Sequence, residues 1–317
     1  MNDKKPLLVL TGPTAVGKTD LSISLAKAIG GEIISADSMQ VYKHMDIGTA
    51  KIMPEEMQGV PHYLVDQMMP DDEFNVVIFQ KMAREAIEQI YANHHIPIIV
   101  GGTGFYIQSI LYDIDFTENQ DDNEEYRNCL YNLAREKGEQ YLHDMLFKVD
   151  PESAKAIHAN NVKRVARALE YYHQTGECIS KHNEEQQKNE SPYNFLYFVL
   201  NNDRPVLYDR IDRRVDLMFE QGLEAEVKRL KDMGYQKDMV SMQGIGYKEM
   251  FPYLEGEYDL ERAKYLIKLD TRHFAKRQIT WFKRERTVSW MNYPDYDNSK
   301  DKILEEMLKK AKEKRII

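Results

Sequence analysis

The run Gly12-Pro13-Thr14-Ala15-Val16-Gly17-Lys18-Thr19 has the residue types and spacing to hold a phosphate. It fits the pattern G-x-x-x-x-G-K-[ST], with an apolar stretch at 7–10 before it and a helical pattern behind, the setting that pattern needs. Two glycines let the backbone curl so that successive N–H groups point inward at an anion. Lys18 adds a point charge, the Thr19 hydroxyl can ligate magnesium, and the next helix turns its positive end to the same spot. The motif does not say whose phosphates it holds.

A second apolar stretch, EIISADSMQVY at 32–42, delivers Asp37, Ser38 and Gln40 at its carboxyl end. Ligands gather at that edge in doubly wound sheets, so Asp37 is expected close to Lys18. An ATP-hydrolysing P-loop protein wants an acid closing a later strand. The apolar stretch 96–100 ends instead in Gly101-Gly102-Thr103, which weakens a motor or ATPase reading. Asp37 can serve as a second shell to magnesium, a helix cap or a general base, and its strand-end position favours the base. Thr103 opens a further helix, where its hydroxyl faces the cleft or caps the helix. Arg210 and Arg214 share a face of a helix beginning near Pro205, with Arg213 one residue round. Asp209, Asp212 and Asp216 offer them surface partners, and the residues alone leave this open.

Cations also gather later. Lys264, Lys268, Arg272 and Lys276 recur every four residues on one helical face, followed by His273, Arg277, Gln278, Trp281, Lys283, Arg284 and Arg286. Residues 262–286 hold nine Lys or Arg against two acids, Asp270 and Glu285. With so few acids in the stretch, a helix laced with its own salt bridges is not expected. Cations with an interleaved aromatic suit phosphate contacts and base stacking, although Trp281 alone suits a core. Lys163, Arg164 and Arg167 form a smaller face that Glu170 partly neutralises, read as solvated. QGIGYKEM at 243–250 sets two glycines beside Tyr247 and Lys248, and spacing does not decide between a turn and a site.

The elements that must position these groups follow from periodicity. The 317 residues suit one large α/β domain plus a smaller body. Helical patterns at 20–31 and 74–93 alternate with short apolar stretches, the signature of a parallel sheet; 62–66 reads as a weak further strand. From 117 the texture turns polar and acidic, then only helical, with pieces at 124–137, 139–147, 151–158 and 161–174. A linker is expected at 184–194, a returning strand at 195–202 and a helix from 205 to about 233, with a mostly helical remainder. The expected organisation is a P-loop core, 1–116 and 195–317, interrupted by a helical insertion at 117–194. A hydrophobic share of 42% and a charged share of 30% describe an ordinary soluble chain. No eighteen-residue apolar run and no signal peptide are seen, and two cysteines, Cys129 and Cys178, favour a reducing cytoplasm. The net charge of −9 argues on its face against a polyanionic partner, but the uneven placement of charge removes that objection. No self-complementary apolar stripe stands out, so a monomer is expected.

Taken together, GPTAVGKTDLS, ISADSMQVYKHMDIGTAK, PHYLVD, IIVGGTGFY, KRVARALE, YDRIDRRVDLMFEQGLEAEV, QGIGYKEM and KRQITWFKR resemble, in order and spacing, the tRNA dimethylallyltransferases over residues 6–290. The resemblance implies a P-loop nucleotide-kinase-like α/β core with an all-helical insertion. It implies transfer of a dimethylallyl group from dimethylallyl diphosphate to the exocyclic amine of the adenosine 3′ of the anticodon. On it, Gly12 to Thr19 hold the donor diphosphate rather than ATP, with magnesium at Thr19. Asp37 takes the amine proton, and Ser38, Met39 and Gln40 contact the flipped adenosine. Thr103 lies near the reacting centre, and Arg214 with Arg210 binds departing diphosphate. Contacts to the tRNA anticodon stem-loop fall to Arg127, to Lys163, Arg164, Val165, Ala166 and Arg167, and to Gln243, Gly244, Ile245, Gly246, Tyr247 and Lys248. Lys276, Arg277, Gln278, Trp281 and Lys283 complete that set. The two distant cysteines do not make the C-terminal zinc finger of eukaryotic relatives, which points to the bacterial type. A small-molecule P-loop kinase and a non-catalytic RNA-binding module are the alternatives.

Overall fold

In a computed structural model, which describes residues 4–116, 124–186 and 188–317, six stretches are extended. They are β1 (Pro6–Thr11), β2 (Gly31–Ala36), β3 (His62–Tyr63), β4 (Ile96–Gly101), β5 (Asn194–Asn201) and β6 (Val288–Asn292). They form one sheet, parallel throughout, in the order β3-β2-β4-β1-β5-β6. The central strand, β1, sets Leu8 between Ile98 of β4 and Leu196 of β5. Leu7, Leu8, Val9 and Leu10 are fully buried, as a parallel strand covered on both faces requires. Each such side chain contributes about 1.5–3 kcal/mol through burial. The loops leaving the carboxyl ends of β1, β2 and β4 therefore meet along one edge.

Helix α1 (Lys18–Ile29) follows β1 and stops at Gly30, whose left-handed backbone returns its N–H to the Ala26 carbonyl. Helix α2 (Val76–Ala92) starts at Asn75, whose side chain accepts the Val77 and Ile78 N–H groups, and buries Phe79, Ala83, Ala86, Ile87 and Ile90. Helix α3 (Gly104–Leu111) leaves β4.

The chain divides into two compact units, Met1–Leu111 with Pro192–Ile317, and Tyr112–Ser191. The second holds α4 (Glu124–Lys137), α5 (Glu139–Val149), α6 (Pro151–Ala156), α7 (Val162–Thr175) and α8 (Ile179–Gln186), around a core including Leu130, Leu142, Leu146, Val165 and Leu169. Buried Asp150 accepts the N–H and hydroxyl of both Ser153 and Ser180, tying α6 to the start of α8. Part of the expected linker is thus helical, since α8 reaches Gln186. The polar run at 117–123, residues 1–3 and Gln187 lie outside the described residues.

After β5 come α9 (Arg204–Glu220), α10 (Leu223–Asp232), α11 (Met250–Leu254), α12 (Leu260–Phe282) and α13 (Lys300–Glu313). Two expectations are corrected. The helix expected from 205 to about 233 breaks at Gln221-Gly222, where Gly222 takes φ 100° and starts α10. The strand at 62–66 shrinks to two residues because Leu64 and Asp66 adopt positive φ. The remainder is mostly helical, as expected, and also contains β6, whose VSWMN is too short and mixed to announce a strand. Among the described residues no helix is long and apolar enough to cross a membrane.

Candidate active site

The phosphate loop turns between β1 and α1 with Gly17 at φ 106° and Ala15 at φ 63°, the second an uncommon conformation for a residue with a Cβ. Packing over-determines it, because Ala15 is buried against Ile211 of α9 and Ala275 of α12. Among the described residues, the N–H groups of Ala15, Gly17, Lys18 and Thr19 find no backbone acceptor in the loop. Free N–H groups in such a curl, at the positive end of a helix, make an anion site. Lys18 Nζ folds back onto the Gly12 and Pro13 carbonyls, each at 3.0 Å. Burial pushes its pKa down to about 8, the Arg214 cation pushes the same way, and Asp37 opposes them. Thr19 is exposed at the start of α1.

Asp37 stands where β2 ends. Its Oδ1 accepts the Met39 N–H at 2.9 Å and, more weakly, the Gln40 N–H at 3.4 Å, so the cap exists. Among the described residues no hydrogen bond engages the other oxygen, Oδ2. Thr103 N–H donates to the Ala36 carbonyl at 3.2 Å, which brings the start of α3 beside Asp37. The Thr103 carbonyl caps α3 by accepting from Tyr106 and Ile107. From the other side, Arg210 Nη1 donates to the Val16 carbonyl at 3.3 Å. Burial lowers the Arg214 pKa, and its charge acts on Lys18. Arg213 turns outward to Asp209 at 3.1 Å. The structure thus brings Gly12 to Thr19, Asp37, Thr103, Arg210 and Arg214 to one corner.

Two supports of this corner escaped the sequence. Buried Glu226 accepts the N–H groups of Asp46, Ile47 and Gly48 and the Tyr247 hydroxyl, fixing the turn that follows Gln40. Buried Lys51 bridges Asp46, Asp66 and the Tyr42 carbonyl. Most of their partners lie far along the chain or are main-chain atoms, so local spacing gives little sign of either.

Several residues expected against RNA sit elsewhere. Gln278 is buried: its Oε1 accepts the Thr14 N–H at 2.9 Å and its Nε2 donates to the Gly102 carbonyl at 3.1 Å. A Cβ on Gly102 would fall 2.1 Å from that Nε2, so a side chain there would push the Gln278 amide out of this contact. Gln278 therefore straps the phosphate loop to the end of β4 and presents nothing outward. Tyr247 is fully buried and Gly246 is buried, whereas Gln243 is exposed, Gly244 meets Met39, and Ile245 is half-buried. Lys248 pairs with Asp270 at 2.7 Å. Gln40 directs its amide at the Ala50 carbonyl, 3.0 Å away, and Ser38 is half-buried. Trp281 packs against Gly104 and the edge of Phe105.

The α12 stripe is also corrected. Lys268 pairs with Asp216 and Arg272 with Asp212, each at 2.6 Å, and Lys264 pairs with Glu261 at 3.1 Å. The partner acids lie mainly on α9, which packs alongside. Lys276, Arg277 and Lys283 are exposed, with Arg277 over the Phe274 ring.

Within the second unit, Glu170 is fully buried, held by Arg127 Nη2 at 2.8 Å and Arg167 Nη1 at 3.1 Å. The expected solvated face is therefore a buried carboxylate clamped by two arginines. Lys163 and Arg164 are exposed, whereas Val165 and Ala166 are in the core.

A phosphate loop at the centre of a parallel sheet, a lone strand-end carboxylate beside it and no acid closing β4 describe a P-loop core arranged for group transfer. The chain belongs to the IPP transferase family, whose model matches residues 40–285. It is 64% identical over 313 residues to a tRNA dimethylallyltransferase of Lachnoclostridium phytofermentans, covering 99% of both chains. It resembles the full-length tRNA isopentenylpyrophosphate transferase of Bacillus halodurans, with a TM-score of 0.73 and 44% identity over 99% of this chain and 98% of the other. A eukaryotic dimethylallyltransferase acting on tRNA gives a TM-score of 0.79 at 32% identity, over 91% of this chain and 74% of that one. The chain is thus an enzyme, a prenyltransferase.

Proposed function

We propose that this enzyme transfers a dimethylallyl group from dimethylallyl diphosphate to the N6 amine of the adenosine 3′ of the anticodon in tRNA, releasing diphosphate. The observation that carries the reading is the shared corner, where a cationic, amide-lined anion site stands beside the Asp37 carboxylate. Breaking the allylic C–O bond moves negative charge onto the diphosphate. Lys18, Arg214, Arg210 and the loop N–H groups stabilise that charge more in the transition state than before it. The amine lone pair forms the new C–N bond, and its proton passes to the free oxygen of Asp37. The target base must leave its stack to reach this corner, and Gln40 then exchanges its carbonyl partner for the base edge. Exposed Lys276, Arg277 and Lys283, with Lys163 and Arg164 of the second unit, supply phosphate contacts to the stem-loop.

Magnesium fits a limited role. Among the described residues no group of three or more His, Cys, Asp or Glu could hold a metal. The chain offers hard oxygens only, the Thr19 hydroxyl with Asp37 near the same loop, which suits magnesium when diphosphate provides the remaining ligands. There it would neutralise leaving-group charge.

Incubating the protein with labelled dimethylallyl diphosphate and unmodified tRNA, without ATP, should place label on the RNA. Label that appears only when ATP is supplied, or never, contradicts the proposal and favours a small-molecule kinase.

A further inference from the structure

Tyr293 follows β6, beyond the residues that the family model matches, and no motif singled it out. Its ring is buried, and its hydroxyl stands against the phosphate loop: a Cβ on Gly17 would lie 3.0 Å from Oη. The pairing of β6 with β5, which ends on Asn201 and Asn292, places Tyr293 at the same carboxyl edge as the loop. The Arg210 guanidinium lies 5.7 Å from the Tyr293 ring centroid while Nη1 reaches the Val16 carbonyl. A cation within about 6 Å of an aromatic face is attracted to it. Among the described residues no carboxylate holds Arg210, since Asp209, Asp212 and Asp216 pair with Arg213, Arg272 and Lys268. An exposed arginine without an anchor samples many rotamers and loses that freedom on meeting an anion. The ring beneath removes much of the loss in advance.

We propose that Tyr293 is a positioning residue for the donor diphosphate, holding Arg210 against the phosphate loop through its ring. The inference rests on the reading of the loop as the diphosphate site. Arg210 makes the contact with the anion, and Tyr293 acts through it.

The test is calorimetric titration of inorganic pyrophosphate into the full chain, with Lys18→Ala as the control for the site. Tyr293→Phe keeps the ring and should bind within about twofold of wild type. Tyr293→Leu should bind about three- to fivefold more weakly, raise the donor KM by the same factor and leave the tRNA KM unchanged. Arg210→Ala with Tyr293→Leu should be no weaker than Arg210→Ala alone, which a merely structural role would not produce. Melting curves check folding, and Tyr293→Met, closer in volume, replaces the leucine variant if that one melts early. Unchanged binding by both non-aromatic variants, equal losses in Tyr293→Phe and Tyr293→Leu, or additive losses in the double variant would each overturn the inference. Binding that survives Lys18→Ala removes the loop reading itself, and this proposal with it.

Discussion

The phosphate-loop corner and the α12 stripe are both rich in cations, yet they are opposite in what those cations face. At the corner, among the described residues, Lys18 donates to the Gly12 and Pro13 carbonyls and forms no ion pair, beside amides with nothing in the loop to bond. Along α12, three of the four evenly spaced cations are matched by carboxylates within 3.1 Å. Charge that stays uncompensated in a shielded place is held ready for a ligand, whereas compensated charge is packing. A count of lysines along one helix cannot tell the two apart, because the neutralising acids arrive on a different helix.

The contrast breaks most easily at the corner. Asp37→Asn should keep tRNA binding and lose about two decades or more of turnover; near-normal turnover would remove Asp37 as the base. The charge on Lys18 gives a pH test. With its pKa lowered to about 8, Lys18 is cationic below that value and neutral above it. Bound diphosphate favours the cation, so the pyrophosphate affinity advantage of wild type over Lys18→Ala should be fully present below pH 8. It should then fall, by up to about tenfold per pH unit, as pH rises above 8. An advantage that stays constant from acid to alkaline pH would mean the ammonium does not meet the anion.

The stripe should divide within itself. Lys276→Ala with Arg277→Ala is expected to weaken tRNA binding by about tenfold and reduce the salt slope by about two. Asp216→Asn, which releases Lys268, should cost less than about 1 kcal/mol of stability and leave the salt slope unchanged. Equal salt effects from the two variants would erase the distinction drawn between them.

Much of the corner was legible in the sequence because it is local. The eight-residue loop, the strand before it and the strand-end position of Asp37 are all set by neighbours in the chain. What stayed hidden depends on partners that no local spacing reveals. Gln278 reads as one more polar residue on a basic helix, and only the fold shows it closing on Thr14 and Gly102. Glu226 and Tyr247 lie in recognisable motifs, but their joint hold on residues 46–48 is tertiary. β6 escaped because Val288 to Asn292 becomes a strand only by pairing with β5.

A crystal structure of the enzyme with an unreactive donor analogue tests the central claim most directly. The two phosphates should sit on the N–H groups of Ala15, Gly17, Lys18 and Thr19, with the allylic carbon facing Oδ2 of Asp37. Phosphates seated away from Lys18, or an Asp37 carboxylate turned from the allylic carbon, would contradict it.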